Sequence, residues 1–129
     1  MLDFFEDERY YYLAMEDGGV NFFDYVSSSH CLIRNDKLKL SEWKKHVRIC
    51  FAQMVNMINW LHNTVYSCHL DISLENMVIK GVKIENGKYI EHGIIKFCDF
   101  GLAEFFGENN FQSKKYVGKT RYKAPKVIN

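Results

Sequence analysis

His69-Leu70-Asp71-Ile72-Ser73-Leu74-Glu75-Asn76, with Asp99-Phe100-Gly101 following after 22 intervening residues, is the stretch on which the fold turns. Two short apolar runs, Val65 to Leu70 and Met77 to Ile79, flank the first segment and read as strands around a loop. Asn86-Gly87 lies between Val82-Lys83-Ile84 and Lys88-Tyr89-Ile90, which is the signature of a tight hairpin turn. Ile94-Ile95-Lys96-Phe97-Cys98 is a further strand and delivers Asp99-Phe100-Gly101 at its end.

Upstream, Trp43, Val47, Cys50, Phe51, Met54, Val55, Ile58 and Leu61 recur at steps of three and four. That period marks one face of a long helix packed on a core. Ser41 is the expected N-cap, with Glu42 in the first turn where a carboxylate suits the helix dipole. Nearer the start, Tyr10 to Glu16 reads as an aromatic-rich strand, preceded by a solvated Glu6-Asp7-Glu8 turn and stopped by Asp17-Gly18-Gly19. Asn21 to Val26 opens a short helix that Ser27-Ser28-Ser29 is expected to end. Asp99 to Asn129 reads as a long loop. The fold class is α+β.

Composition sets the bounds. The chain has 129 residues, 17 Lys+Arg against 16 Asp+Glu, and 47% hydrophobic residues, which suits one globular domain. Near-zero net charge offers nothing that would attract nucleic acid or a membrane surface. No apolar run approaches the ~20 residues that span a bilayer, and the acidic start lacks the features of a signal peptide. Cys31, Cys50, Cys68 and Cys98 form no C-x-x-C pair, and the five histidines show no ligand spacing, so a structural zinc site is not expected. The expected location is cytoplasmic.

A third segment completes the pattern: Gly118-Lys119-Thr120-Arg121-Tyr122-Lys123-Ala124-Pro125-Lys126, which holds the chain's single proline. In this order, the three segments resemble the catalytic loop, metal-binding motif and activation-segment end of the protein kinase family. Tyr12 to Glu16 resembles the strand entering the hinge between the lobes, and Trp60-Leu61-His62 the end of the helix before the catalytic loop.

The resemblance implies a partial protein-kinase-like fold. Residues 1–19 would be the end of the small lobe and the hinge, and residues 20–129 a portion of the large lobe. It implies ATP and Mg²⁺ as cofactors and a protein as substrate, phosphorylated on Ser/Thr hydroxyls. Asp71 would be the catalytic base, with Asn76 and Asp99 the metal ligands; two carboxylates and an amide oxygen are the hard donors Mg²⁺ prefers. Around the nucleotide, Glu16 would offer its carbonyl and Gly18 its N–H. Met15 would be the gatekeeper, Asn21 a ribose contact and Val78 the apolar floor, although Met15 and Val78 equally suit plain core positions.

Departures from the family pattern carry expectations of their own. Leu70 replaces the arginine that pairs with a phosphorylated activation segment, so phosphorylation at Ser113, Tyr116 or Thr120 is not expected to activate in the usual way. The family's loop lysine is Ser73, and its activation-segment threonine is Lys119. The amine and hydroxyl thus trade places, and Lys119 is expected to reach back across Asp71 and Ser73 and restore the missing charge. The segment's terminal glutamate is Lys126, and the excess length at Gly81–Gly93 is expected to be a longer hairpin projecting to solvent. The glycine-rich loop, small-lobe lysine and later helices of the family are not in the sequence. The isolated fragment is therefore expected to be inactive and marginal in stability, needing the missing segments or a partner chain. Two alternatives stay open beside the enzyme: a pseudokinase-like binding module, and a truncated gene product without function.

Overall fold

A computed structural model of the chain describes residues 2–107 and 117–123. Ser113, Tyr116, Pro125 and Lys126 lie outside the described residues. The fold is α+β: β1 (Asp3–Glu6), β2 (Tyr11–Ala14) and β3 (Val20–Asn21) precede helices α1 (Phe22–Arg34) and α2 (Leu40–Asn63). Then come β4 (Ser67–Cys68), a 3-10 turn (Leu74–Asn76), the long strands β5 (Met77–Glu85) and β6 (Lys88–Phe97), and β7 (Glu104–Phe105). A second 3-10 turn covers Thr120–Tyr122.

The Glu6-Asp7-Glu8 turn joins β1 to β2, with the Asp7 carboxylate accepting from the Arg9 and Tyr10 N–H groups at 2.8 Å each. β3, β5 and β6 form one antiparallel sheet, and β4 pairs with β7. Among the described residues no helix is long and apolar enough to cross a membrane.

Several elements differ from the sequence expectation. The serines do not end α1, which runs on to Arg34. Ser27 satisfies its hydroxyl by donating back to the Phe23 carbonyl at 3.0 Å, and Ser29 is buried, so serine here serves packing instead of a turn. Ser41 is not the N-cap of α2; Lys39 is, without a side-chain cap bond. The cap region is held by main chain, since the Lys39 N–H donates to the Gly87 carbonyl at 3.2 Å. The run Val65 to Leu70 pairs only at Ser67 and Cys68, and the segment after Asp99 contains β7.

The apolar stripe on α2 divides. Trp43, Cys50 and Leu61 are buried, together with His46, whereas Val47, Phe51 and Val55 stand exposed along one row. Two adjoining cores follow. Phe22, Cys50, Met77, Ile79 and Ile95 make the first, into which Ile72 and Leu74 also pack. Leu38, Trp43 and Tyr89 make the second, and Tyr25, Val26 and Val82 border both. Gln53 of α2 closes the edge of β6, donating to the Gly93 carbonyl (3.1 Å) and accepting from the Ile95 N–H (3.0 Å).

The long β5–β6 hairpin turns at Asn86-Gly87, whose φ of 50° and 73° suit the primed turn read from the sequence. Its outer half does not simply project to solvent. Tyr89 is 8% exposed in the second core, and its hydroxyl accepts from Tyr25 OH at 3.0 Å. His46 is fully buried, stacks on Tyr89 with ring centres 4.0 Å apart, and meets His92 of β6 at 2.9 Å between Nδ1 atoms. Folding the hairpin back removes aromatic area from water that a projecting hairpin would leave wet.

Candidate functional site

The segment from His69 to Asn76 alternates between core and surface, which fixes its backbone. His69, Ser73 and Asn76 are buried, while Ile72 and Leu74 pack into the first core. That leaves Asp71 half-buried on the opposite side. Asn76 Nδ2 donates to the Asp71 carbonyl (2.9 Å) and to Asp71 Oδ2 (2.8 Å). Oδ1 of Asp71 accepts from the Lys119 N–H at 3.2 Å. Each carboxylate oxygen therefore has one donor and keeps a lone pair for another.

His69, which the sequence reading passed over, organises the loop. Its Nε2 lies 3.1 Å from the Cys98 carbonyl, an atom that can only accept, so Nε2 carries the hydrogen. Nδ1 is then free to accept the Asp71 N–H at 3.4 Å. The ring packs on Phe100, centre to centre 4.6 Å, and edge-on to Phe97 at 5.5 Å. One buried imidazole thereby ties the Asp71 loop to the strand end that carries Asp99.

Leu70 and Asp99 both adopt left-handed backbone, with φ of 64° and 60°. Such conformations cost free energy outside glycine and concentrate at functional sites. Gly118 has φ of 85°, and a Cβ there would stand 2.3 Å from the Leu70 carbonyl oxygen. Only glycine lets the 117–119 segment lie this close to the loop. From that position Lys119 Nζ donates to Ser73 Oγ at 2.9 Å and sits 3.5 Å from Glu75 Oε2. Its own backbone N–H, the Ser73 hydroxyl and the nearby Lys119 charge hold the Glu75 carboxyl below the ordinary range.

Most candidate residues line one of two cavities, while the buried Ser73 and Asn76 line neither. One of about 300 Å³ is lined by Asp71, Gly118 and Lys119, with His62, His69, Leu70 and Tyr122 among its walls. The other, about 800 Å³, is lined by Leu13, Met15, Glu16, Gly18, Val78, Lys96 and the segment Phe97–Gly101, which includes Asp99. At the larger cavity Lys96 pairs with Glu16 at 2.7 Å, and the ammonium holds that carboxyl below its usual range. Gly18 is pressed on Val78, where a Cβ would meet Cγ2 at 2.5 Å.

Asn21 lines neither cavity. Its Oδ1 caps α1 by accepting from the Phe23 N–H at 3.0 Å, and Nδ2 donates to the Glu75 carbonyl at 2.8 Å. Among the described residues there is no cluster of three His, Cys, Asp or Glu able to hold a metal unaided, and all four cysteines are free.

Comparison with known proteins gives the family. The chain is 29% identical over 132 residues to serine/threonine-protein kinase PSK2 of Saccharomyces cerevisiae, covering 99% of this chain and 10% of that protein. It is 30% identical to serine/threonine-protein kinase PSK1 of the same yeast, covering 99% and 8%. It is 28% identical to calcium-dependent protein kinase 3 of Plasmodium yoelii yoelii, covering 99% and 21%. The chain thus spans between a twelfth and about a fifth of these relatives' lengths. The family model of the protein kinase domain matches residues 1–129, and the chain belongs to the protein kinase family.

Proposed function

We propose that the chain is the middle of an ATP-dependent protein kinase domain that phosphorylates Ser/Thr hydroxyls of protein substrates. In this reading residues 1–19 end the small lobe and form the hinge, and residues 20–129 belong to the large lobe. The observation that carries it is the Asp71 carboxylate. It is fixed through Asn76 and the Lys119 backbone, keeps free lone pairs, and faces an open cavity. A carboxylate so held can orient a substrate hydroxyl and take its proton as the hydroxyl oxygen attacks phosphorus.

The donor set suits Mg²⁺. Both N–H groups of the Asn76 amide are spent on Asp71, which leaves its carbonyl oxygen as the atom for a cation. Asp99 offers the second hard oxygen, and Mg²⁺ ordinarily completes its shell with water and phosphate oxygens. When bound, the metal supplies charge neutralisation across the phosphates. The 800 Å³ cavity suits a purine: Val78 and Leu13 supply apolar walls, and Met15, Glu16 and Gly18 run along its edge.

Thermal unfolding of the full-length protein tests the reading. A rise in melting temperature is expected only with ATP and Mg²⁺ together, since a ligand at about 100 times its Kd adds roughly 2.7 kcal/mol. Asp99→Asn is expected to remove the Mg²⁺-dependent part. Absence of any shift in the wild type at millimolar nucleotide would count against the proposal.

A further inference from the structure

We infer that Lys119 supplies the cation of the transfer step, entering from the segment opposite the Asp71 loop and using Ser73 as its seat. This rests on the kinase reading above and deepens it. Four observations converge. The Gly118 backbone lies against the Leu70 carbonyl, which pins the start of the Lys119 side chain beside the loop. The Lys119 N–H is bonded to Asp71 itself. Its Nζ donates to Ser73 Oγ at 2.9 Å. Ser73 is fully buried, so its hydroxyl is a fixed acceptor, not a mobile surface group.

An ammonium has three hydrogens. Ser73 takes one, and Glu75 at 3.5 Å makes only a long, exposed contact. The remaining donor capacity points a positive charge into the cavity that Asp71 lines. In the step, the substrate hydroxyl oxygen bonds to the γ-phosphorus of ATP and its proton passes to Asp71. The bond from phosphorus to the β,γ-bridging oxygen breaks, and ADP leaves with that electron pair. Charge rests on the phosphoryl oxygens throughout, where a fixed cation is worth most. A loop residue of serine type cannot provide it; Lys119 can.

The exchange is reciprocal, so its test is a swap in the full-length protein. Lys119→Thr is expected to lower kcat roughly 10- to 100-fold. Ser73→Lys alone is also expected to lower it, because it sets a second ammonium against the first. The double variant Ser73→Lys/Lys119→Thr is expected to recover to within about tenfold of wild type. Without turnover, Lys119→Thr is expected to weaken ATP binding several-fold and leave ADP binding within about twofold, since only ATP carries the γ-phosphate.

Lys119→Gln removes the charge while keeping a polar N–H donor one atom shorter than the ammonium, and replaces Lys119→Thr in both measurements if that variant does not fold. Neutralised variants that stay within threefold of wild type, or that lose ATP and ADP affinity equally, overturn the inference and leave the kinase reading intact. Failure of the double variant to rise above the single ones does the same. Wild-type protein with no transfer above an Asp71→Asn control overturns the kinase reading and this inference with it.

Discussion

Replacing Asp71 by asparagine in the full-length protein is expected to lower kcat roughly a thousandfold while nucleotide binding persists. The change is isosteric but removes the proposed base, and positioned general-base catalysis contributes about 10²–10⁴. The neighbours add a second effect. Both groups bonded to the carboxylate are donors, Asn76 Nδ2 at one oxygen and the Lys119 N–H at the other. An amide has one accepting and one donating end, so in either orientation an N–H must face an N–H. The Asn76 contact is only partly buried and the Lys119 contact is exposed, so water offsets part of the loss. The cost sits at the low end of about 1–3 kcal/mol, enough to loosen the 117–119 segment from the loop. Steady-state kinetics with a peptide substrate, alongside an ATP thermal shift, reads both effects. Retention of more than a tenth of wild-type kcat would remove Asp71 from the role of base.

The hairpin's docking is expected to be acid-labile. His46 is fully buried against Tyr25 of α1, Cys50 of its own helix, and Tyr89 and His92 of β6. None of these is a carboxylate. Burial and the His92 ring beside it push His46 down to about 4. Burial likewise raises the Cys50 thiol to about 11 and the hydroxyls of Tyr25 and Tyr89 above their usual value, so no neighbour ionises to compensate.

An unfolded His46 takes its proton near pH 6.5 and the folded one near 4. The stabilisation is therefore complete above pH 6.5 and is lost as pH falls through that window. A displacement of this size corresponds to about 3 kcal/mol, of which about 2 is gone by pH 5. Denaturant midpoints between pH 7.5 and 4.5 should fall accordingly, and His46→Leu should flatten the dependence. An equal slope in wild type and variant would show that the acid sensitivity lies elsewhere.

The sequence made some of this legible and hid the rest for physical reasons. The Asn86-Gly87 turn announces itself, because few residue pairs accept left-handed backbone twice in succession. Where the hairpin then goes is set by Tyr89, His92 and His46, whose polar edges mask their burial in any hydrophobic pattern. On α2 the three-four spacing gave the face but not its width, so Val47, Phe51 and Val55 read as core and are exposed. Ser27 and Ser29 looked like a stop because serine often bonds the backbone in turns. Inside α1 the same capacity is used within the helix.

At the site, Asp71, Asn76 and Asp99 stood out by residue type and order. The amine–hydroxyl exchange between Ser73 and Lys119 was visible as two substitutions at matched positions, and the two side chains do meet. His69 and Gly118 were silent, because their contributions depend on which ring nitrogen bonds a carbonyl and on how closely two backbones approach.

The contact between the hairpin turn and the start of α2 also bears on the order of assembly. β5 and β6 are joined by a two-residue turn and can zip locally in about 1–10 μs. The bond from Lys39 to Gly87 and the stacking of His46 on Tyr89 instead close long loops, whose entropy must be lost before the contact rewards it. Those contacts are therefore expected to form on the native side of the rate-limiting barrier. Weakening them, as in Tyr89→Leu, should speed unfolding and leave the refolding rate nearly unchanged. A stopped-flow chevron in which the refolding limb slows instead would place the docked hairpin inside the folding nucleus.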